Sequence, residues 1–212
     1  AIVAAERVSA EVARAQPDND SIQAVALINL AIAQQYARHH AAAVVNHQKA
    51  ISLLEKTGSY RDIRLAEPLA RLGMTLHDWG RHDDAAEVLA RSVFITRAEK
   101  GLKSQAQLKY YPWLMHALVA AGQHEEALRR QQSRVSIIER ALGADSPETL
   151  IAYEQAAQWH HYLGDYLEER RLHLRRHDLI VEREGYESPK LIPSLYGIAG
   201  TYQALLDPDL IG

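Results

Sequence analysis

Two glycine series share one spacing: Gly80, Gly122 and Gly164 are evenly separated by forty-two residues, and so are Gly101, Gly143 and Gly185. The two series are offset from each other, so each period holds two glycine-terminated segments. Leu72, Leu76 and Gly80 recur as Leu114, Leu118 and Gly122, and again as Ala156, His160 and Gly164. An apolar residue, a second side chain four on and a glycine four beyond is helical spacing closed by a C-terminal glycine. A second apolar-periodic run follows shortly after each, over 83–100, 125–142 and 166–184, and ends at the other glycine. One period therefore predicts a helix, a turn, a longer helix and a linker.

The frame extends over the whole chain. One period back, Leu30-Ala31 falls in the slot of Leu72-Gly73 and Ala43 in that of Ala85, with Arg38 and Ser59 in the two glycine slots; one period forward come Ile198-Ala199 and Tyr202. This gives the second helix of a preceding repeat over 1–20, repeats over 21–62, 63–104, 105–146 and 147–188, and the first helix of a further repeat over 189–212. Both ends are expected to be cuts inside a longer array. Pro17, Pro147 and Pro189 fall at expected breaks, whereas Pro68, Pro112 and Pro193 are expected in the first turns of helices. Runs of β-branched residues with period two are few, so no sheet is expected.

Repeated hairpins with small residues at the packing points resemble the tetratricopeptide pattern, whose slots are filled by Leu72-Gly73, Leu76, Gly80, Ala85, Leu89 and Ser92. The usual unit has about 34 residues. The longer unit here, with Leu142-Gly143-Ala144-Asp145-Ser146-Pro147 between hairpins and a looser copy at Gly185-Tyr186-Glu187-Ser188-Pro189, is similar to the forty-two-residue repeats of kinesin light chains and of many bacterial regulatory proteins. The resemblance implies an all-α fold: a right-handed α-solenoid superhelix of stacked antiparallel helix hairpins, with the first helices lining an inner groove. Some slots depart from the pattern. His40, His82 and His124 stand where a ring is expected and Tyr166 keeps it, while Glu169, His173 and Arg176 occupy small or bulky slots. Charged residues are rarely buried unpaired, so the fourth hairpin is expected to pack more loosely or more wetly.

At 100° per residue, Leu69, Leu72, Leu76 and Trp79 lie on one side of their helix and Glu67, Ala70, Met74, His77 and Asp78 on the other. The resemblance makes this second face the groove. Carried along the frame, the candidate groove comprises Tyr36, Met74, His77, Asp78, Lys109 and His116, continuing through Glu154, Gln158, His161, Tyr162, Tyr196 and Gln203. Aromatic, imidazole, amide and acidic groups with a single lysine suit an extended peptide or a partner helix better than a phosphate chain.

Other chemistries find little support. A net charge of −3 provides no global field for nucleic acid, which is not an expected partner, and the absence of cysteine excludes disulfides and thiolate metal sites. No apolar stretch approaches the ~20 residues of a membrane span. His173 and His177 have the four-residue spacing of paired metal ligands, near His160 and His161, but Arg175 and Arg176 between them oppose a cation and no zinc-protease glutamate follows. The charged run over 168–178 balances acids against bases, and Asp83-Asp84 and Glu125-Glu126 open helices, where carboxylates favour the dipole. No catalytic residue, cofactor or metal is expected. The chain reads as a non-catalytic protein- or peptide-binding module, the sensor or scaffold region of a larger signalling protein in the cytoplasm, its partner a protein, a peptide or another domain of the same polypeptide. The alternatives are a purely architectural spacer or oligomerisation scaffold and, behind it, a histidine-based metal site or enzyme.

Overall fold

The computed structural model describes residues 2–102 and 104–206. Among these, ten α-helices follow one another: α1 (Ile2–Ala15), α2 (Asp20–Tyr36), α3 (His40–Thr57), α4 (Ala66–Asp78), α5 (His82–Lys100), α6 (Tyr111–Ala120), α7 (His124–Leu142), α8 (Pro147–Tyr162), α9 (Tyr166–Glu184) and α10 (Leu191–Leu206). They form two compact units, one through Gln123 and one from His124.

The first glycine series makes the same turn each time. Gly80, Gly122 and Gly164 have φ of 84°, 74° and 76°, and Arg38, in the fourth such slot, has φ 61°. The amide after each left-handed residue reaches a carbonyl five residues back: His39 to Gln34, Arg81 to Leu76, Gln123 to Leu118 and Asp165 to His160, at 2.8–2.9 Å. The left-handed residue itself donates three residues back. This is the Schellman closure, which satisfies the last helical carbonyls and stops the helix at a fixed residue. The next long helix starts two residues later, which places His40, His82, His124 and Tyr166 at the first position of α3, α5, α7 and α9.

The second series is stricter. Gly101 and Gly185 combine φ of 94° and 83° with ψ of 156° and 174°, a region open essentially to glycine alone. Arginine can occupy the first kind of turn at some cost; no side chain fits the second. Where Ser59 holds this slot the connection changes: Gly58 is extended, and Asp62 caps a 3-10 turn over Ile63–Leu65 by accepting from the Arg64 amide.

Within the first unit α1 packs on α2, α2 on α3, α3 on α4, α4 on α5 and α5 on α6; within the second α7 packs on α8, α8 on α9 and α9 on α10. Leu69, Leu72 and Leu76 of α4 are buried, as are Leu89 and Val93 of α5 and Leu114 and Leu118 of α6. The small residue beside Leu72 has a direct cause, since a Cβ on Gly73 would overlap the Leu89 side chain.

Three expectations about individual side chains fail. Trp79 is not on the packed side: it follows the last residue of α4, 43% exposed, with the Arg81 guanidinium 5.5 Å from its ring centre. Ala70 is not on the free face but fully buried, because α4 touches α2, α3, α5 and α6 and its free strip is narrower than half a helix. Lys109 is not on the first α-helix of its repeat. It lies in a 3-10 segment, Gln105–Tyr110, started by the Ser104 hydroxyl and held by buried Gln107, which donates to the carbonyls of Leu102 and Ser104.

The slot of Leu89 holds His47 one period earlier, fully buried, with neither ring nitrogen hydrogen-bonded. Burial, aided by the Arg71 charge, pushes its pKa down to about 4. An unfolded chain takes up this proton below about pH 6.5, whereas the folded chain resists until about pH 4. The native state therefore holds its full advantage above this window and loses up to about 3 kcal/mol as pH falls through it. Urea unfolding at pH 7 and pH 4.5 should show a shallower acid loss in His47→Leu than in the parent chain. An identical loss would contradict the assignment.

Candidate functional site

In the first unit three of the candidate residues, Met74, His77 and Asp78, lie along one strip of α4. Glu67 stands in the first turn of α4, where Arg71 binds it at 3.1 Å, the Lys109 ammonium at 2.8 Å and the Tyr110 hydroxyl at 3.4 Å. Burial opposes ionisation of Glu67, but Lys109 and Arg71 hold its carboxyl below the usual range. At the far end of the helix, Asp78 accepts from Gln35 of α2 at 2.8 Å. The two cross-links span 42 and 43 residues, so each joins one repeat to the next. Eleven residues separate Glu67 from Asp78, a strip about 16 Å long at helical rise, with half-buried Met74 between them.

The C-terminal end of this strip is aromatic. The His77 and His82 Nδ1 atoms are 3.2 Å apart, so one ring must donate to a neutral partner. Trp113 of α6 meets His77 edge-on, with ring centres 6.3 Å apart, and stands one turn before exposed His116. Burial first, then the neighbouring His82, lowers the His77 pKa. Tyr36, the last residue of α2, is 83% exposed. Thus Met74, His77 and Asp78 share one strip of α4, Lys109 is paired at its start, and His116 stands on α6. The frame did not single out Trp113, although it lies four residues after Lys109 and three before His116.

In the second unit the candidates divide. Glu154 of α8 faces α9, where Arg176 Nε lies 3.2 Å from its carboxylate, and Arg176 also donates to Ser194 Oγ of α10 at 2.6 Å and to the Lys190 carbonyl at 3.2 Å. His161 donates through Nδ1 to Glu169 at 3.0 Å, and His173 Nε2 lies 3.7 Å from the same carboxylate. Glu169 and His173 are 5% and 6% exposed, so polar groups lie buried among α8, α9 and α10 beside apolar Ala156, Ala157, Leu172 and Ile180. The slots at which looser or wetter packing is expected hold these contacts, and His173 Nδ1 and Arg176 Nε are buried without a hydrogen-bond partner. Gln158, Tyr162, Tyr196 and Gln203 remain exposed.

Of the histidines considered as metal ligands, His161 and His173 share Glu169, and the other two have separate carboxylate partners. His160 donates to Asp165, which also caps α9, and His177 contacts Asp178. Among the described residues no group of three or more histidines or carboxylates is placed to hold a metal ion. No described helix is long and apolar enough to cross a membrane.

His173 requires the space left by Gly197 of α10, where a Cβ would overlap the imidazole. A Cβ at Gly200, three residues on, would meet nothing. In thermal unfolding, Gly197→Ala should cost about 1–3 kcal/mol, while Gly200→Ala should be neutral or stabilising by up to about 1 kcal/mol. Equal effects would show that the ring moves aside freely.

No family model matches the chain, and no curated protein sequence matches it. Solved structures do. A kinesin-light-chain-like protein of Podosopora anserina with nearly identical TPR-like repeats aligns at TM-score 0.65 and 20% identity, over 88% of each chain. BtubC (BKLC) from P. vanneervenii aligns at 0.63 and 18%, over 99% of this chain and 84% of that one. A single-substitution variant of the Podosopora protein aligns at 0.61 and 23%, over 84% of each. At these identities the likeness is one of fold, and the fold is that of a tetratricopeptide-like repeat array.

Proposed function

We propose that the chain is a non-catalytic repeat module that binds a protein or an extended peptide on the exposed face of its first helices, as the sensor or scaffold part of a larger regulatory protein in the cytoplasm. The fold supports the binding half of this reading, since helical repeat arrays generally act through extended surfaces. The observation that carries it is the α4 strip. Glu67–Lys109 and Gln35–Asp78 brace neighbouring repeats at its two ends and leave imidazole, indole and thioether groups between and beside them. Such groups contact a peptide through stacking and single hydrogen bonds, with little ordering cost because the helices hold them. Paired charges at the ends leave no strong net field, which favours a partner read by shape and hydrogen bonding over a polyanion.

Tyr36 and His116 are the informative positions, because both are exposed. Glu154 is a poorer probe: removing it would strip Arg176 of its carboxylate. Twelve-residue peptides selected from a random library on the intact chain should lose at least about ten-fold affinity, or about 1.4 kcal/mol, when Tyr36→Ala and His116→Gln are combined. Helicity and melting temperature should be unchanged. Recovery of no saturable binder, or of binders indifferent to both changes, would sink the proposal.

A further inference from the structure

The two imidazoles at the C-terminal end of the α4 strip carry proton chemistry that packing does not call for. His77 stands in the last turn of α4 and His82 is the first residue of α5, so the pair bridges the left-handed turn at Gly80. Their ring centres are 4.8 Å apart and their Nδ1 atoms 3.2 Å apart. Both rings are half-buried and keep some exposure to solvent.

The same two slots hold Gln35 and His40 one repeat earlier, Val119 and His124 one repeat later, and His161 and Tyr166 in the fourth repeat. His161 and Tyr166 also meet edge-on, with ring centres 5.7 Å apart. A phenol therefore serves this contact as well as an imidazole does.

A second imidazole makes the contact depend on protons. Two neutral rings form one bond, from the Nδ1–H of one to the Nδ1 lone pair of the other. The donor ring then has a free lone pair on Nε2, and the acceptor ring carries its proton there. A first added proton goes to the donor's Nε2, makes that ring an imidazolium and strengthens the bond, because a charged donor binds more tightly. A second proton has only the bonded Nδ1 left to occupy. It breaks the bond and sets two cations against each other.

The surroundings do not offset that repulsion. Burial opposes a charge on His77, and so do His82 of α5 and His116 of α6; Asp78, beside it on α4, favours the charge but is outweighed. Asp78 is also engaged by the uncharged Gln35 amide of α2. From α3, His47 faces Arg71, six residues before His77. Around His82, Asp84 is paired with Arg81 and Asp83 accepts from Gln123.

We propose that His77 and His82 form a proton switch that sets the shape of this end of the strip. With one added proton or none the pair is closed and holds His77 edge-on to Trp113; with a proton on each ring it opens and the contact with the indole is lost. The open form binds more protons than the closed one, so it gains population as pH falls.

An NMR titration of the intact chain from about pH 8 to about pH 4 tests this by following the imidazole nitrogens of His77 and His82 and the Trp113 indole N–H. The pair should take up its protons in two steps at least about one pH unit apart, and the indole resonance should move in the second step only. His82→Tyr, which installs the residue that the fourth repeat already uses, should leave His77 titrating in a single step. Independent single-step titration of the two rings in the parent chain would overturn the proposal. So would an indole resonance that follows the first proton, or a His77 titration that His82→Tyr does not alter. Loss of far-ultraviolet circular dichroism together with the second step would also count against it, because the change would then be unfolding and not a local opening. On the peptide-binding role proposed above, affinity should fall about ten-fold with the second proton in the parent chain and not in His82→Tyr. That consequence rests on the binding role, whereas the titration needs no peptide, so the two fail separately.

Discussion

The backbone bond that closes each first helix runs from the amide after the turn residue to a carbonyl five residues earlier, and it forms only if the turn residue is left-handed. Much of the architecture depends on that bond. It ends α2, α4, α6 and α8 at a fixed place in the frame and launches the next long helix two residues later. Within each unit it thereby sets which side chains of a hairpin meet. Gly73 meets Leu89 across the α4–α5 hairpin because the turn length is constant, and a turn one residue longer would rotate the second helix by about 100°.

The repeat frame made much of this legible. Left-handed glycines, the starts of the long second helices to within one residue and proline in first helical turns all follow from local backbone chemistry, which a sequence displays directly. Departures from the frame were harder to interpret. Arg38 in a glycine slot gives no sign of its conformation until the φ of 61° and the two closing bonds are seen. The 3-10 segment carrying Lys109 depends on Gln107 turning its amide onto two carbonyls, a tertiary choice that propensity does not encode. Trp79 and Ala70 exchanged expected environments because a helical wheel treats a helix as having two faces, whereas α4 is flanked by four other helices.

Polar substitutions show where the frame carries more than packing. Glu169, His173 and Arg176 occupy slots where small or apolar residues are usual, yet each has charged or polar neighbours: Glu169 meets His161 and His173, and Arg176 meets Glu154 and Ser194. Burying such groups is tolerable only when partners are supplied, and α8 and α10 supply them. The same contacts separate Glu154 and His161, which serve the hairpin, from Gln158 and Tyr162, which remain exposed. In the first unit, Glu67–Lys109 and Gln35–Asp78 join repeats, while imidazole and indole groups meet one another near the end of α4. Which residues hold neighbouring hairpins, and which are left over, is a pattern of contacts that residue identity alone does not reveal.

The dependence on the left-handed turn can be measured with a pair of opposite substitutions in urea unfolding. Arg38→Gly should stabilise the chain by about 1 kcal/mol by removing left-handed strain, and Gly80→Ala should destabilise it by about 1–2 kcal/mol by introducing the same strain. Opposite signs of this size would show that the turn conformation sets the hairpin frame. Changes of the same sign, or no change at either position, would contradict it.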